Sequence, residues 1–341
     1  TCEARVSPSE RAIRALRRGD PVGVGAIVVA AVETAPFAPG APVLIAQDRA
    51  AALKLTNQRA AADAPEGGGA VMVAPLGSQA ETWALADPTR DLATPLKGPF
   101  RTLPAPPAGD ASAALVLARL AGLLPALFLL DSGAAVALTP ADIAAHDAPA
   151  RLAEVARARL PVAAGEGELV LFRNADGGPE HLALILGRPV LAQPVLTRLH
   201  SSCLTGDVLA SLRCDCGPQL HAAMARLACD GGILLYLNQE GRGIGLANKL
   251  RAYSLQDEGF DTFEANARLG LPRDARDFAL AAAMLRALCV TCVRLLTNNP
   301  AKVARLEAAG VTVAERVPLA EGAGADNAAY LAAKRAAGHW L

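Results

Sequence analysis

The sequence predicts a mixed α/β protein, in part α+β, built of two domains that each contain a mixed sheet flanked by helices. The chain has 341 residues, which is enough for two ordinary domains with separate cores. Hydrophobic residues make up 52% of it and aromatic residues only 4%, so Ala, Leu and Val fill the interior. From residue 198 onwards short apolar runs alternate with helix-like segments, which is typical of strands covered by helices.

The charge and hydropathy patterns exclude several classes of partner. Lys plus Arg equals Asp plus Glu at 33 each, so no net field attracts nucleic acid or an anionic membrane. The most apolar stretch, residues 113–138, is interrupted by Arg119, Pro125 and Asp131, which argues against a membrane span. No basic run leads into an apolar segment near residue 1, so we expect a cytoplasmic protein that binds a small molecule.

The predicted first domain covers residues 1–187 and opens with a helix. Ser7-Pro8-Ser9-Glu10 resembles a capping box with proline at the first helical position, and Gly19 ends the helix. The region 64–107 is rich in Gly, Pro and Asp, so we expect long loops there. The other predicted elements are strands at 24–32, 41–45, 125–130 and 182–186, helices at 49–57 and 111–123, and a mostly helical segment at 140–158.

The predicted second domain covers residues 188–341 and shows the more regular alternation. A buried strand at 233–237 leads into the turn Gly241-Arg242-Gly243-Ile244-Gly245. The stretch from Glu321 is small and polar, so we expect it to lie on the surface. The other predicted elements are a helix from that turn through Gln256, helices at 218–228, 277–288 and 300–309, and a strand at 293–296.

Three cysteines form the strongest local signal. Cys203, Cys214 and Cys216 have the spacing C-x10-C-x-C in a polar, turn-rich segment, where free cysteines are poorly explained as core residues. Three thiolates that converge on zinc leave a fourth position open for water. A closed structural site is the alternative, with His200 or His221 as the fourth ligand, and the open catalytic site is favoured.

Two strand-to-helix junctions carry residues suited to phosphate. The glycine-rich turn exposes backbone N–H groups and Arg242 adds a planar charged fork. The second junction, Leu296-Thr297-Asn298-Asn299-Pro300, is followed by Lys302. In a third segment Asp274 can orient Arg276 toward a phosphoryl group. Two ordinary capped helices and a solvated helix start are the alternatives.

These motifs together closely resemble the GTP cyclohydrolase II family, from Arg198 to Leu319. The motifs are Arg198-Leu199-His200-Ser201, Cys203-Leu204-Thr205-Gly206-Asp207, Arg213-Cys214-Asp215-Cys216-Gly217, Gln239-Glu240-Gly241-Arg242-Gly243 and Leu296-Thr297-Asn298-Asn299-Pro300. The resemblance implies conversion of GTP to 2,5-diamino-6-ribosylamino-4(3H)-pyrimidinone 5′-phosphate, formate and pyrophosphate, the entry step of riboflavin synthesis. It also implies a homodimer.

The resemblance further implies roles for individual residues, with one zinc ion per catalytic domain and Mg²⁺ accompanying the triphosphate. The implied zinc ligands are Cys203, Cys214 and Cys216. The implied GTP contacts are Arg198, Leu199, His200, Ser201, Ser202, Gln219, Glu240, Gly241, Arg242, Thr262, Thr297 and Lys302. Tyr253 matches a tyrosine of the ring-opening steps, Asp274 a proton acceptor and Arg276 a nucleophile at the α-phosphorus. Because a guanidinium stays protonated, electrostatic stabilisation by Arg276 is the easier account.

Two positions depart from the family pattern. Ser202 stands where the family has Glu, and Asn238 stands where it has Arg. Loss of a carboxylate beside the metal and a cation beside the phosphate loop leaves two alternatives to the family reaction. One is a non-catalytic nucleotide-binding or regulatory protein, and the other is an enzyme for a different nucleotide.

The N-terminal half resembles a diverged 3,4-dihydroxy-2-butanone-4-phosphate synthase. The resemblance is carried by Thr94-Pro95-Leu96, Gly109-Asp110-Ala111-Ser112-Ala113 and the segment 118–123. That family needs an acidic loop and a Gly-His-Thr-Glu segment for a divalent metal. Residues 22–31 contain no acid, and Asp110-Ala111-Ser112 replaces His-Thr-Glu. We therefore expect a relic of the fold that serves packing, dimerisation or regulation, without a second active site.

Overall fold

The described residues form two seven-stranded sheets flanked by helices, which confirms the predicted fold class. The computed structural model describes residues 6–62, 69–146, 149, 152–175 and 177–319, and in the tail 321–322, 324, 327–328, 331–332, 335 and 338. The predicted surface tail from Glu321 therefore lies mostly outside the described residues. Within those ranges no helix combines the length and apolarity needed to cross a membrane.

The helices separate the strands along most of the chain. They are α1 (Pro8–Arg18), α2 (Gln47–Ala52), α3 (Arg59–Ala62), α4 (Gln79–Ala86), α5 (Ala108–Leu120), α6 (Pro140–Ala144), α7 (Cys216–Asp230), α8 (Glu240–Gly243), α9 (Leu246–Asp257), α10 (Thr262–Arg268), α11 (Ala279–Ala287) and α12 (Pro300–Ala308). The first is capped as predicted, since the Ser7 hydroxyl accepts from the Glu10 N–H at 3.1 Å and Gly19 ends it with φ 83°.

The chain divides into two compact units. The first comprises Thr1–His146 and Gly241–Ala275, and the second comprises Asp147–Glu240 and Arg276–Leu341. The sheet of the first unit has the order β5-β4-β3-β6-β2-β1-β7. Its strands are β1 (Val22–Val24), β2 (Ile27–Ala31), β3 (Val43–Ala46), β4 (Ala70–Val73), β5 (Thr102–Leu103), β6 (Ala126–Leu130) and β7 (Val136–Leu138).

Helices cover both faces of this first sheet. Successive residues of β3 enter different cores, Leu44 on one side and its neighbours Val43 and Ile45 on the other, as strand geometry requires. The second core is completed from far along the chain, by Ile244 and Leu255 among others. The segment 241–275 therefore belongs to the first unit, because burial of its apolar side chains against this sheet removes them from water.

A buried ionic cluster stabilises the loops of the first unit. Arg49, only 2% exposed, donates from Nη2 to Asp91 at 3.0 Å, and Lys97 also pairs with Asp91. Arg268 lies 3.6 Å from the same carboxylate. Burial alone would raise the pKa of Asp91, but the hydrogen bonds and charges of Arg49 and Lys97 outweigh it, so the pKa falls.

The sheet of the second unit has the order β14-β13-β11-β12-β10-β9-β8. Its strands are β8 (Leu152–Arg159), β9 (Gly167–Asn174), β10 (Glu180–Leu186), β11 (Val195–Ser201), β12 (Gly232–Leu237), β13 (Cys292–Leu296) and β14 (Thr312–Val317). Strand β11 is central and runs parallel to β12 and β13, so the carboxyl ends of all three lie at one edge.

Several sequence expectations differ from the structure. The helix predicted at 140–158 is wrong: α6 ends at Ala144 and β8 follows, an edge strand whose polar, exposed side chains hide its period. The loops predicted at 64–107 contain β4 and α4 as well, and residues 63–68 lie outside the described ranges. The division also differs from the expected boundary at 187/188, because β10 pairs with β12 inside the second sheet.

Candidate active site

The three cysteines converge in the second unit. Cys203 follows β11, and Cys214 and Cys216 lie at the start of α7, across a π-helical turn at Leu204–Val208. Their sulfur atoms all lie within 4.8 Å of one another, with Cys203 Sγ 3.7 Å from Cys214 Sγ. Cys203 and Cys214 are each 6% exposed. The arrangement places three thiol sulfur atoms, which are soft donors, close enough together to bind one metal ion.

Gly206 leaves the space that the three thiols surround. A Cβ at this position would lie 2.7 Å from Cys214 Sγ, 2.9 Å from Cys216 Cβ and 3.1 Å from Cys203 Sγ. Any larger side chain would therefore fill the space between the three thiols, which we call the metal cradle. Gly217 is needed for a related reason, since a Cβ there would overlap the carbonyl oxygen of Gly206. Both glycines allow the turn and the start of α7 to approach closely.

The protonation of the thiols also fits a cation site. Hydrogen bonding to Cys203 raises the pKa of the Cys214 thiol, and contacts with Cys203 and Cys214 raise that of Cys216 further. The hydrogen bonds between the thiols favour their protonated forms, whereas a bound cation favours the thiolates, so binding of a metal ion would displace the protons. Among the described residues the group that could hold a metal ion comprises these three cysteines and does not extend to His200 or His221. The open three-ligand site is the one that this geometry fits.

The Asp207 side chain links the turn at Leu204–Val208, the cysteine turn, to strands β11 and β12 of the sheet. Its side chain is 3% exposed and accepts from the Cys203 N–H at 3.0 Å and the Tyr236 hydroxyl at 2.9 Å. His200 Nε2 lies 3.1 Å from the same carboxylate, and its ring stacks on Tyr236 at 5.6 Å. Because β11 and β12 run parallel with His200 opposite Tyr236, both side chains reach the carboxylate together. Tyr236 was not among the residues that the sequence predicted for the site. The pattern that could have identified it is a single hydroxyl-bearing side chain in the otherwise apolar strand β12.

The state of His200 follows from this contact. A carboxylate only accepts, so Nε2 carries the proton and Nδ1 is the acceptor. Burial lowers the pKa of His200, and the hydrogen bond to Asp207 opposes this only in part. Nδ1 is buried and has no hydrogen-bond partner among the described residues. The lowered pKa favours the neutral imidazole, with Nδ1 as its acceptor atom.

A buried polar chain links β11 to α7. Arg198, 6% exposed, donates to Gln219 Oε1 at 2.7 Å and to the Leu296 carbonyl at 3.0 Å. Gln219 in turn donates to Asp215 Oδ2 at 2.6 Å. Burial lowers the pKa of Arg198 to about 10, partly offset by the charges of Asp215, Cys216 and Asp207, so the guanidinium stays charged. One cation is thus held rigidly beside the cysteine site.

The start of α12 brings further predicted residues to the same edge of the sheet. Asn299 caps the helix by accepting from the Ala301 N–H at 2.9 Å, and the Thr297 hydroxyl accepts from the Asn299 N–H at 3.0 Å. Lys302 is 8% exposed and donates from Nζ to the Leu199 carbonyl at 2.8 Å. A buried ammonium at a helix N-terminus is a strong attractant for an anion.

Comparison with known proteins agrees with this geometry. A family profile described as GTP cyclohydrolase II matches residues 153–318. A GTP cyclohydrolase-2 from Azospirillum brasilense is 44% identical over 358 residues, which covers 97% of this chain and 93% of the relative. The chain belongs to the GTP cyclohydrolase II family. A GTP cyclohydrolase-2 from Pseudomonas paraeruginosa is 55% identical over 189 residues, covering 55% of this chain and 92% of that protein.

One solved structure is similar over most of the chain. It is a two-domain 3,4-dihydroxy-2-butanone 4-phosphate synthase from A. baumannii, 18% identical, with a TM-score of 0.33. The match covers 92% of this chain and 99% of the other.

The glycine-rich turn of the GTP cyclohydrolase II sequence pattern adopts left-handed backbone angles. Gly241 and Arg242 have φ of 61° and 62°, and the next two glycines also have positive φ. Arg242 is the unusual case, since a side chain in this conformation costs energy that its surroundings must offset. Its guanidinium lies 5.3 Å from the Phe263 ring, and its carbonyl accepts from the Ala275 N–H at 2.9 Å. Asp274 is thereby tied next to this turn.

The first unit also holds two other predicted positions of the family. Tyr253 is half-buried on α9 with Lys249 Nζ 5.7 Å from its ring. Thr262 opens α10, and its hydroxyl accepts from Gln256 Nε2 at 3.0 Å. The predicted site residues thus divide between the two units. The roles of Tyr253, Thr262 and Asp274 stay predictions.

The second unit gathers the cysteines with most of the predicted GTP contacts. These are Arg198, Leu199, His200, Ser201, Ser202, Gln219, Glu240, Thr297 and Lys302, with Arg276 beside α11. Glu240 accepts from the Leu204 N–H at 2.7 Å and so supports the cysteine turn. The hydroxyls of Ser201 and Ser202 are buried, and among the described residues neither has a hydrogen-bond partner.

The two departures from the GTP cyclohydrolase II pattern are neighbours. Ser201 lies opposite Leu237 in the parallel pair β11–β12, and the Ser202 N–H donates to the Leu237 carbonyl at 2.8 Å. Ser202 directly follows β11 and Asn238 directly follows β12, so the two residues lie at the same edge of the second sheet. A Glu and an Arg at these positions would carry opposite charges, so replacing both leaves the local net charge unchanged.

Proposed function

We propose that this chain hydrolyses GTP to 2,5-diamino-6-ribosylamino-4(3H)-pyrimidinone 5′-phosphate, formate and pyrophosphate, the first step of riboflavin synthesis. Zinc at Cys203, Cys214 and Cys216 and Mg²⁺ on the triphosphate are part of the proposal. The cradle of three thiols around Gly206 carries it, because this donor set fits an open zinc site. When bound, the zinc supplies Lewis acidity that activates water near neutral pH.

The surrounding side chains orient the purine. His200 Nδ1 accepts a hydrogen bond from an N–H group of the base, since Asp207 holds the proton on Nε2. Arg198 adds a fixed positive charge that the buried contacts with Gln219 keep in one orientation. A rigid arrangement of this kind lowers the entropy that must be lost on reaching the reactive geometry.

The cations of the same unit act on the phosphates. Lys302 and the N-terminus of α12 attract the triphosphate, and Arg276 stabilises negative charge that develops at the α-phosphorus. Tyr253 in ring opening and Asp274 as proton acceptor are assigned from the sequence motifs alone. The other proposed contacts to GTP are Leu199, Ser201, Ser202, Gln219, Glu240, Gly241, Arg242, Thr262 and Thr297.

The deciding experiment is turnover of GTP by the zinc-loaded protein in the presence of Mg²⁺. We expect equal amounts of formate and pyrophosphate. A Cys214→Ser variant should lose zinc and product together, whereas Cys229→Ser, which changes an exposed cysteine of α7, should retain both. Binding of GTP without release of formate would instead favour the non-catalytic alternative.

For the N-terminal half, residues 1–187, we propose a fold relic without sugar-phosphate chemistry. Asp110 accepts from the Ala26 N–H at 2.9 Å and fills the turn at Gly25, where φ is 57°. Its carboxylate is therefore used to hold the β1–β2 turn. Turnover of ribulose 5-phosphate above background would overturn this reading. The proposal includes a cytoplasmic homodimer, and sedimentation of the purified protein tests whether it is a dimer.

A further inference from the structure

Three cationic side chains of the second unit meet on one aromatic ring. Arg276 Cζ lies 5.2 Å from the centroid of Phe278, Arg305 Cζ lies 5.6 Å from it, and Lys302 Nζ lies 5.7 Å from it. Phe278 itself is 2% exposed and belongs to the core beneath the sheet. The ring is therefore rigidly placed, and its surroundings carry three positive charges.

The backbone explains why these side chains meet. Phe278 immediately precedes α11, two residues after Arg276. Lys302 and Arg305 are three apart on α12, so they project from the same side of that helix. Arg305 also donates to the Arg276 carbonyl at 3.3 Å, which ties α12 to the segment before α11. The ring thus lies where two cations of α12 meet Arg276 from the segment before α11.

The energetics of this grouping favour a polyanion. Each cation lies within about 6 Å of the ring centroid, the range in which the quadrupole of the ring attracts it. A ligand with several negative oxygens can contact all three cations at once, and the charges of the oxygens and the cations attract. Pyrophosphate and triphosphate groups match that requirement.

We propose that Phe278 is a positioning residue for phosphate recognition and that Arg305 is a further phosphate-binding residue. Phe278 acts through Arg276 and Lys302 by holding both cations over its ring. Arg305 contacts phosphate oxygens from the next turn of α12. This inference rests on the proposed function and adds two residues, Phe278 and Arg305, to the phosphate recognition that it includes.

The test measures binding of inorganic pyrophosphate, with Mg²⁺, to the full chain by calorimetry, because this probe needs no turnover. Phe278→Leu keeps an apolar side chain but removes the ring, and we expect binding about tenfold weaker, which is about 1.4 kcal/mol. The matched control is Phe172→Leu, which removes a ring that is fully buried in the same core. It should change pyrophosphate binding less than twofold.

Arg305 offers an independent variant that leaves the core intact, because the residue is exposed. Arg305→Gln should weaken pyrophosphate binding three- to tenfold and reduce its sensitivity to salt. Its control is Arg286→Gln, which removes an exposed arginine that donates to the Ala309 carbonyl at 2.9 Å. Phe278→Tyr, which restores an aromatic face, should bind pyrophosphate within about twofold of the unaltered protein.

The outcomes separate the inference from the proposed function. Equal weakening by Phe278→Leu and Phe172→Leu would reduce Phe278 to a core residue and overturn the inference, as would unchanged binding in Arg305→Gln. No pyrophosphate binding by the unaltered protein would also overturn it. The expected pattern of pyrophosphate binding without release of formate from GTP would support the inference and refute the proposed reaction.

Discussion

Substitution of Gly206 by alanine tests the metal cradle most directly. The added Cβ would lie 2.7 Å from Cys214 Sγ and 3.1 Å from Cys203 Sγ. Non-bonded heavy atoms are most stable about 3.5–4.0 Å apart, so the Cys214 sulfur would have to move by about 1 Å. Metal–ligand distances tolerate deviations of about 0.2 Å. The displacement is several times larger than a zinc site can absorb.

Two effects on the protein follow from this overlap. We expect zinc affinity to fall about 100-fold, at the upper end of what disturbed supporting contacts cost. Overpacking of the turn should lower the free energy of unfolding of the zinc-free protein by about 1–3 kcal/mol. Both effects arise from one methyl group, because the three thiols leave it no space.

The assay combines zinc content after dialysis with thermal unfolding in the presence and absence of a chelator. The unaltered protein should lose stability when the chelator is added, whereas Gly206→Ala should be indifferent to it. Gly109→Ala is the control, since a Cβ there meets nothing within 4 Å. A Gly206→Ala protein with full zinc content and an unchanged response to chelator would refute the reasoning.

Three further changes probe other contacts. Tyr236→Phe removes a hydrogen bond to the buried carboxylate of Asp207 and should lower the free energy of unfolding by about 1.5–3 kcal/mol in urea titration, so no loss would contradict that contact. The lowered pKa of Asp91 means that its ionised form stabilises the fold above the unfolded pKa of about 3.9, and this contribution is lost as pH falls below that value and through the lower pKa of the folded state. The stability difference between the unaltered protein and Asp91→Asn should therefore shrink below about pH 4, and a constant difference would exclude the linkage. Ser202→Glu alone should lower the free energy of unfolding because it buries a carboxylate. Adding Asn238→Arg should recover at least about 1 kcal/mol of that free energy. Additive effects of the two substitutions would show that the two positions do not interact.

Several features of this protein follow from local sequence and were predictable. The cap of α1 depends on residues three apart, and the buried strand β12 is one short apolar run. The three cysteines stand out because their types and spacing limit the chemistry that they suit. By contrast β11 was missed, since Arg198 and His200 interrupt its apolar pattern although the strand is almost fully buried. Residues placed inside a sheet for binding break the periodicity that identifies a strand.

The sequence by itself determined the ligand types of the candidate metal site, the glycine-rich turn and the family of the chain. Each of these is encoded within a few neighbouring residues. Only the tertiary structure decided that Asp207 joins Tyr236 to the cysteine turn and that Arg276 and Arg305 of α12 meet at Phe278. It also decided that residues 241–275 complete the core of the first unit. These contacts join segments that are far apart in the chain. Strand pairing and side-chain packing bring the segments together, and neither leaves a pattern among neighbouring residues of the sequence.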